Sequence, residues 1–167
     1  MPVVAVAGLV EEVGRAAFPC PLLSTLNVTY LLAACGSCGE VALAEIAEGV
    51  TASLAITNRN ASWGASDTDV QCVQGRLNGT AWFVQDARKV DRLLVSAQTS
   101  AGLALYWVTT DAAGVTVVPD AIVDLTRDQA HVRFDNVQAL ELTGSGLAAL
   151  QQAADELEDR LEGIAAE

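Results

Sequence analysis

The chain is short of basic residues: 9 of its 167 residues are Lys or Arg, against 21 Asp or Glu, for a net charge of −12. So acidic a chain repels phosphate backbones and anionic lipid headgroups, which argues against nucleic acid and membrane surfaces as partners. Aromatic residues make up only 5% while hydrophobic residues make up 51%. The core must therefore come from Val, Leu, Ile and Ala. There is a single histidine, His131. Of the four cysteines, Cys35 and Cys38 form a C-x-x-C, but Cys20 and Cys72 supply no second half-motif for a four-ligand zinc site. A thioredoxin-like role needs a strand before the motif, and here a helical pattern precedes it. The cysteines thus read as small buried hydrophobes at a turn between helices, and His131 reads as a structural strand residue. No metal site is expected.

Targeting signals and long apolar runs are missing as well. The start, Met1 to Glu12, has no basic segment and turns acidic by Glu11. Leu22 to Cys38 is apolar but is interrupted by Ser24, Thr25, Asn27, Thr29 and Ser37. It falls short of the ~18 unbroken apolar residues of a membrane span. The sequons at Asn27, Asn60 and Asn78 then read as chance matches, and the expected location is cytoplasmic. The apolar fraction is too high for disorder, and a chain this long buries about 70% of its extended surface.

What is present falls into three stretches. Residues 1–49 read as helical. Val6, Leu9, Val10 and Val13 share one face opposite Glu11, Glu12 and Arg15, and Pro19 and Pro21 stop that helix. Ser24 is expected to open a second helix running to about Cys35, with Gly36 as its stop. Ser37 and Glu40 have the spacing of a capping box for a third, which ends at Gly49. Over residues 50–143 the period switches to two. Strands are expected at Ala52 to Thr57, Asp69 to Val73, Leu77 to Val84, Leu93 to Ala97, Leu103 to Val108, Val115 to Val118, His131 to Phe134 and Leu140 to Leu142. Asn78-Gly79 marks a turn or a bulge. Short strands with turns every 8–12 residues predict an α+β fold, an antiparallel β-barrel or sandwich flanked by N-terminal helices. No long helices alternate with the strands, which argues against a doubly wound parallel sheet. Residues 144–167 predict one C-terminal helix, with Leu147, Leu150, Ala154, Leu157, Leu161 and Ile164 as an apolar stripe beside an acidic face. Such a stripe calls for a covering partner.

The order of these pieces resembles the FAD-dependent acyl-CoA dehydrogenases. Leu9-Val10-Glu11-Glu12-Val13-Gly14-Arg15-Ala16 followed by Pro19 to Leu23 is similar to the "EELGRA…P.PLL" helix of their N-terminal helical domain. Gly49 to Thr57 resembles the strand that opens their middle barrel. Leu77 to Val84 resembles "LNGxKxWIT", and Gly114 to Val117, Asp124 to Arg127 and Val132 to Asp135 resemble the end of the barrel. The resemblance covers roughly residues 5–143.

This resemblance implies an oxidoreductase that α,β-dehydrogenates an acyl-CoA thioester: a carboxylate takes the α-proton and hydride passes from the β-carbon to flavin N5. It implies FAD as cofactor. The flavin-facing positions carried over are Thr57 (loop-start hydroxyl), Ser66 (after Gly64-Ala65, like the family's "GSD"), Trp82 (the aromatic of "WIT") and Val84 (the place of its hydroxyl). Three departures stand out. Val84 has no hydroxyl, Ser66-Asp67 lies three residues too far from Thr57, and Asn58-Arg59 replaces "EP". Read by itself, Thr57 is also an ordinary strand end, Ser66 an ordinary loop residue, and Trp82 plain barrel core. The family's base lies in a C-terminal helical bundle that this chain is expected to lack, so no catalytic residue is assigned and the chain alone is expected to be inactive. The other reading is a non-catalytic barrel, a binding or assembly module that completes a partner subunit. Either way an oligomer or partner chain is expected over the apolar helix faces.

Overall fold

The computed structural model describes residues 3–62, 67–124 and 126–143. The C-terminal helix expected over 144–167, like Trp63 and Ser66, lies outside the described residues.

Helices come first. α1 spans Val3–Arg15, α2 spans Leu22–Ala34, a 3-10 turn covers Gly36–Gly39, and α3 spans Glu40–Ala47. Two expected helix starts are corrected. α2 begins directly after Pro21, whose backbone already sits at φ −80°, so the ring pre-sets the first turn. Ser24 lies inside that turn, and its hydroxyl donates instead to the buried Asp86 carboxylate at 2.7 Å. Ser37 does not cap α3, whose N-cap residue is Gly39 with no side-chain cap. The chain stays helical through Cys35, turns at Gly36 (φ +67°) and packs Gly39 so tightly on the Leu32 backbone that a Cβ would collide there. That close approach spends Ser37 in the 3-10 turn.

Eight strands follow: β1 Ala52–Ala55, β2 Val70–Val73, β3 Arg76–Gln85, β4 Arg92–Thr99, β5 Gly102–Thr109, β6 Val115–Pro119, β7 Gln129–Gln138 and β8 Leu140–Thr143. They form one sheet in the order β6-β7-β3-β2-β4-β5-β8, with β1 also paired to β4. The antiparallel expectation holds for β2–β3, β3–β7, β4–β5, β5–β8 and β6–β7. The sheet is nonetheless mixed, because β1 and β2 both run parallel to β4. A strand has two edges and β5 takes one of β4's, so β1 (at residues 92–95) and β2 (at Gln98) share the other, end to end.

The sheet folds over a single interior. Leu77, Ala81 and Val84 of β3 meet Leu93, Val95 and Ala97 of β4, Ala104, Tyr106 and Val108 of β5, and Ala130, Val132 and Phe134 of β7. The alternate residues of β1, β4 and β5 form a second apolar layer, in which Ala52, Leu94, Leu105 and Trp107 pack on Val28, Leu31 and Leu32 of α2 and Ala42 of α3. β4 and β5 are covered on both faces, which explains why they read as unbroken apolar runs rather than alternating ones.

A polar clasp fixes α3 to this layer. Glu45 Oε2 accepts from the Trp107 indole N–H at 2.9 Å and from Arg92 Nε at 2.8 Å. The indole, together with the Arg92 guanidinium, holds the Glu45 carboxyl below its usual range. A depressed folded-state pKa contributes stability that is fully present above the unfolded value of about 4.3 and is lost as pH falls through the folded value. Glu45→Gln is therefore expected to cost about 1 kcal/mol near neutral pH. Chemical denaturation of both proteins should show that gap closing below about pH 4.

Candidate functional site

The functional candidates converge where β1 ends against β3. Beyond β1 the chain reaches Thr57, whose carbonyl accepts the Trp82 N–H at 2.9 Å. Asn58 then organises the loop, with its buried side-chain oxygen accepting the N–H groups of Asn60 (2.9 Å) and Ser62 (3.0 Å). Asp69, just before β2, takes the Arg59 N–H at 2.8 Å. Among the described residues the Thr57 hydroxyl has no hydrogen-bond partner, and the residue is half-buried.

A bulge decides which β3 side chains face where. The β3–β7 register shifts between Ala81 and Val84, and Phe83 takes a left-handed φ of 56°. In a regular strand Trp82 and Val84 would share a face. The extra residue turns Ala81 and Val84 both inward, each 1% exposed, and leaves Trp82 half-buried outside the interior. Thr57 and Trp82 are thus brought together. The Val84 side chain is not, because it lies in the barrel core. The plain-core reading of Trp82 is set aside by the same geometry.

The outward indole has close neighbours that the sequence did not single out for this place. The His131 ring on β7 stacks on Trp82 with centroids 5.0 Å apart and planes 26° from parallel. The Arg59 guanidinium lies over the indole at 5.8 Å, within cation–π range. β7 pairs with β3 along one edge, and the Thr57 carbonyl accepts the backbone N–H of Trp82. His131 is held in turn. Its Nδ1–H donates to Asp120 Oδ1 at 2.9 Å, Gln129 Nε2 donates to Asp120 Oδ2 at 3.1 Å, and Gln85 Nε2 donates to Gln129 Oε1 at 3.0 Å. A carboxylate can only accept, which fixes the proton on Nδ1. No spacing could have announced this cluster, because it depends on the register Val118↔His131 in β6–β7 and on the bulge in β3.

Chemically this region offers a half-buried indole, a hydroxyl with no partner among the described residues, and a cation in an otherwise acidic chain. Two carboxylates bonded to its residues, Asp69 and Asp120, are each occupied in holding a neighbour. Two shallow concavities, about 420 Å³ beside Gly114 and Asp135 and about 340 Å³ beside Cys72 and Ser100, lie elsewhere. The C-x-x-C keeps its structural reading. Cys38 Sγ donates to the Cys35 carbonyl at 2.6 Å, and burial, with Cys38 beside it, pushes the Cys35 thiol up to about 12. A thiol that stays protonated is a poor nucleophile and metal ligand. All four cysteines are free, and the described residues contain no cluster of three or more His, Cys, Asp or Glu able to hold a metal. No helix among them is long and apolar enough to cross a membrane.

Comparison with known proteins agrees with this architecture. No protein-family model and no curated protein matches the chain. Solved structures do. A variant of the steroid ACAD Tcur3481-Tcur3483 superposes with a TM-score of 0.69 at 26% identity, over 87% of this chain and 42% of that one. Glutaryl-CoA dehydrogenase from Mycobacterium smegmatis matches with a TM-score of 0.61 at 20% identity, over 75% of this chain and 36% of that one. A structure of that organism's glutaryl-CoA dehydrogenase in complex with FADH2 matches with a TM-score of 0.54 at 20% identity, over 68% and 33%. The chain shares the fold of the acyl-CoA dehydrogenases and spans less than half the length of those it matches.

Proposed function

We propose that the chain is the flavin-facing part of an acyl-CoA dehydrogenase-like oxidoreductase, with residues 50–143 as its barrel, residues 1–49 as a helical segment and residues 144–167 as a further helix. The observation that carries this reading is the backbone junction of Thr57 with Trp82, whose indole lies outside the barrel core. There the backbone of Thr57, whose hydroxyl has no partner among the described residues, is hydrogen-bonded to the backbone of Trp82, whose indole is half-buried, on a scaffold of the matching fold. The residues suit one face of an isoalloxazine ring: Trp82 for contact with the ring system, and Thr57 to hydrogen-bond its polar edge. Ser66 is proposed to join them from the following loop. Val84 supports the site from beneath, as packing under the bulge that turns Trp82 outward.

When bound, FAD supplies the hydride acceptor for α,β-dehydrogenation of an acyl-CoA thioester. The residues named here bind and orient; the base that takes the α-proton is proposed to lie outside the described residues, in a helical bundle or partner. Exposed apolar side chains on the helical segment favour a partner: Val4 is 84% and Phe18 63% exposed. The same observation serves the second reading, a non-catalytic barrel that completes another subunit's site.

Titrating FAD into the purified chain, and into the chain coexpressed with a dehydrogenase-like partner, tests the proposal by flavin absorbance and fluorescence. FAD should be retained in at least one case, Trp82→Ala should weaken it about tenfold, the loss of roughly 1.4 kcal/mol of ring contact, and the chain alone should not turn over acyl-CoA. Failure to retain flavin in both cases would leave only the non-catalytic reading.

A further inference from the structure

The network behind Trp82 has a role of its own. The indole lies outside the barrel core, so core packing alone does not fix its tilt. Among the described residues its aromatic and cation–π partners are His131 and Arg59. His131 is the better anchored. Its ring is tethered through Nδ1 to Asp120, whose second carboxylate oxygen is tied to Gln129, which is tied to Gln85 on the strand that carries Trp82 itself. The Asp120 backbone N–H also donates to the Gln129 carbonyl at 2.9 Å. The ring of contacts runs from β3 through β7 to the end of β6 and back by stacking to β3. His131 and Asp120 side chains are each only 20% exposed, so the tether is shielded from most of the competing water.

We infer that His131 is a positioning residue, clamped by Asp120, that sets the tilt of the Trp82 indole and thereby the fitness of this face for its planar aromatic ligand. The inference rests on the flavin reading for the identity of that ligand, but not for the orientation of the indole. His131 acts through the indole on which it stacks. Its stacking depends on ring shape, so a phenyl ring in its place preserves the contact without the Asp120 tether. Removing the ring frees the indole, and removing the carboxylate frees the imidazole.

Two readouts on the same variants test this. The chain has three tryptophans, so a 1H–15N spectrum of the ligand-free protein should show three indole N–H signals, and the one lost in Trp82→Phe belongs to Trp82. His131→Ala should move that signal and leave the other two in place. It should also weaken FAD binding two- to tenfold, the range for loss of one aromatic pair. His131→Phe, which keeps a stacking ring but not the tether, should recover only part of that loss, and Asp120→Ala should shift the Trp82 signal in the same direction as His131→Ala but by less. A Trp82 signal unmoved in His131→Ala overturns the positioning role. A moved signal with unchanged FAD affinity overturns the link between tilt and binding. If the wild-type chain binds no FAD alone or with a partner, the flavin reading falls, whereas a signal that still moves in both His131→Ala and Asp120→Ala upholds the orientation of the indole by the clamped His131.

Discussion

Trp107→Ala is expected to destabilise the protein by about 3–5 kcal/mol, the range for removing a buried aromatic side chain from a packed layer. Trp107 is 5% exposed and packs in the layer between the sheet and α2 and α3, among Leu94, Leu105, Val28 and Leu32. Its loss leaves a cavity where two elements meet, and it also removes the indole N–H from Glu45. The two effects separate in large part in Trp107→Phe, which keeps a six-membered ring in the layer and loses the N–H donor with the rest of the indole. That variant should cost about 1–2 kcal/mol. Combined with Glu45→Gln it should be less than additive, since Trp107→Phe removes the donor of the hydrogen bond that Glu45→Gln weakens by taking the charge from its acceptor. Urea unfolding of the four proteins measures each term. A Trp107→Ala penalty below about 1 kcal/mol would mean that the helices are not held to the sheet as described.

Gly79→Ala is expected to cost about 3 kcal/mol, through backbone strain and a collision rather than a cavity. Gly79 pairs with Val70 at the β2–β3 ladder and has φ +130°, a conformation L side chains rarely adopt. An added Cβ would run into the Asp69 carbonyl oxygen and come within 2.9 Å of Val70 Cα. All of these are backbone atoms that cannot swing aside. In a domain of this size the melting temperature should fall by about 6–12 °C. The substitution also reaches the candidate site, because Asp69 holds the Arg59 N–H at 2.8 Å. Gly75→Ala is the informative control. Its φ is +75°, but no atom lies within 4 Å of its added Cβ, so it isolates strain from collision and should cost about 1 kcal/mol. Equal penalties at the two positions would remove the collision from the explanation.

Much of the architecture was legible because it depends on local pattern. The change from helical spacing to alternation near residue 50 places the helices before the strands. Each expected strand is present, most of them longer by a few residues, as with β3 at Arg76–Gln85 and β7 at Gln129–Gln138. Extended backbone at a strand's ends carries no hydrophobic signal to read. Asn78-Gly79 was open between a turn and a bulge. It is a bulge, with Asn78 Oδ1 accepting the Asn136 N–H at 2.9 Å across the gap. Helix starts were less legible. Ser24 and Ser37 are good capping residues by type, yet the first is used to bind Asp86 and the second sits in a 3-10 turn. A cap is a choice between local and tertiary partners, and here the tertiary partners won.

The α+β class, the order of the strands along the chain and the likeness to the acyl-CoA dehydrogenases were legible in the sequence before any tertiary contact. Each rests on spacing along the chain or on residue type. Only the tertiary structure decided that β1 and β2 run parallel to β4, that Val84 turns inward while Trp82 turns outward, and that Arg59, His131 and Asp120 gather around the indole. The physical reason is the same in each case. A side chain's face depends on the pairing register and on where one extra residue is inserted, and a single residue's shift moves it between core and surface.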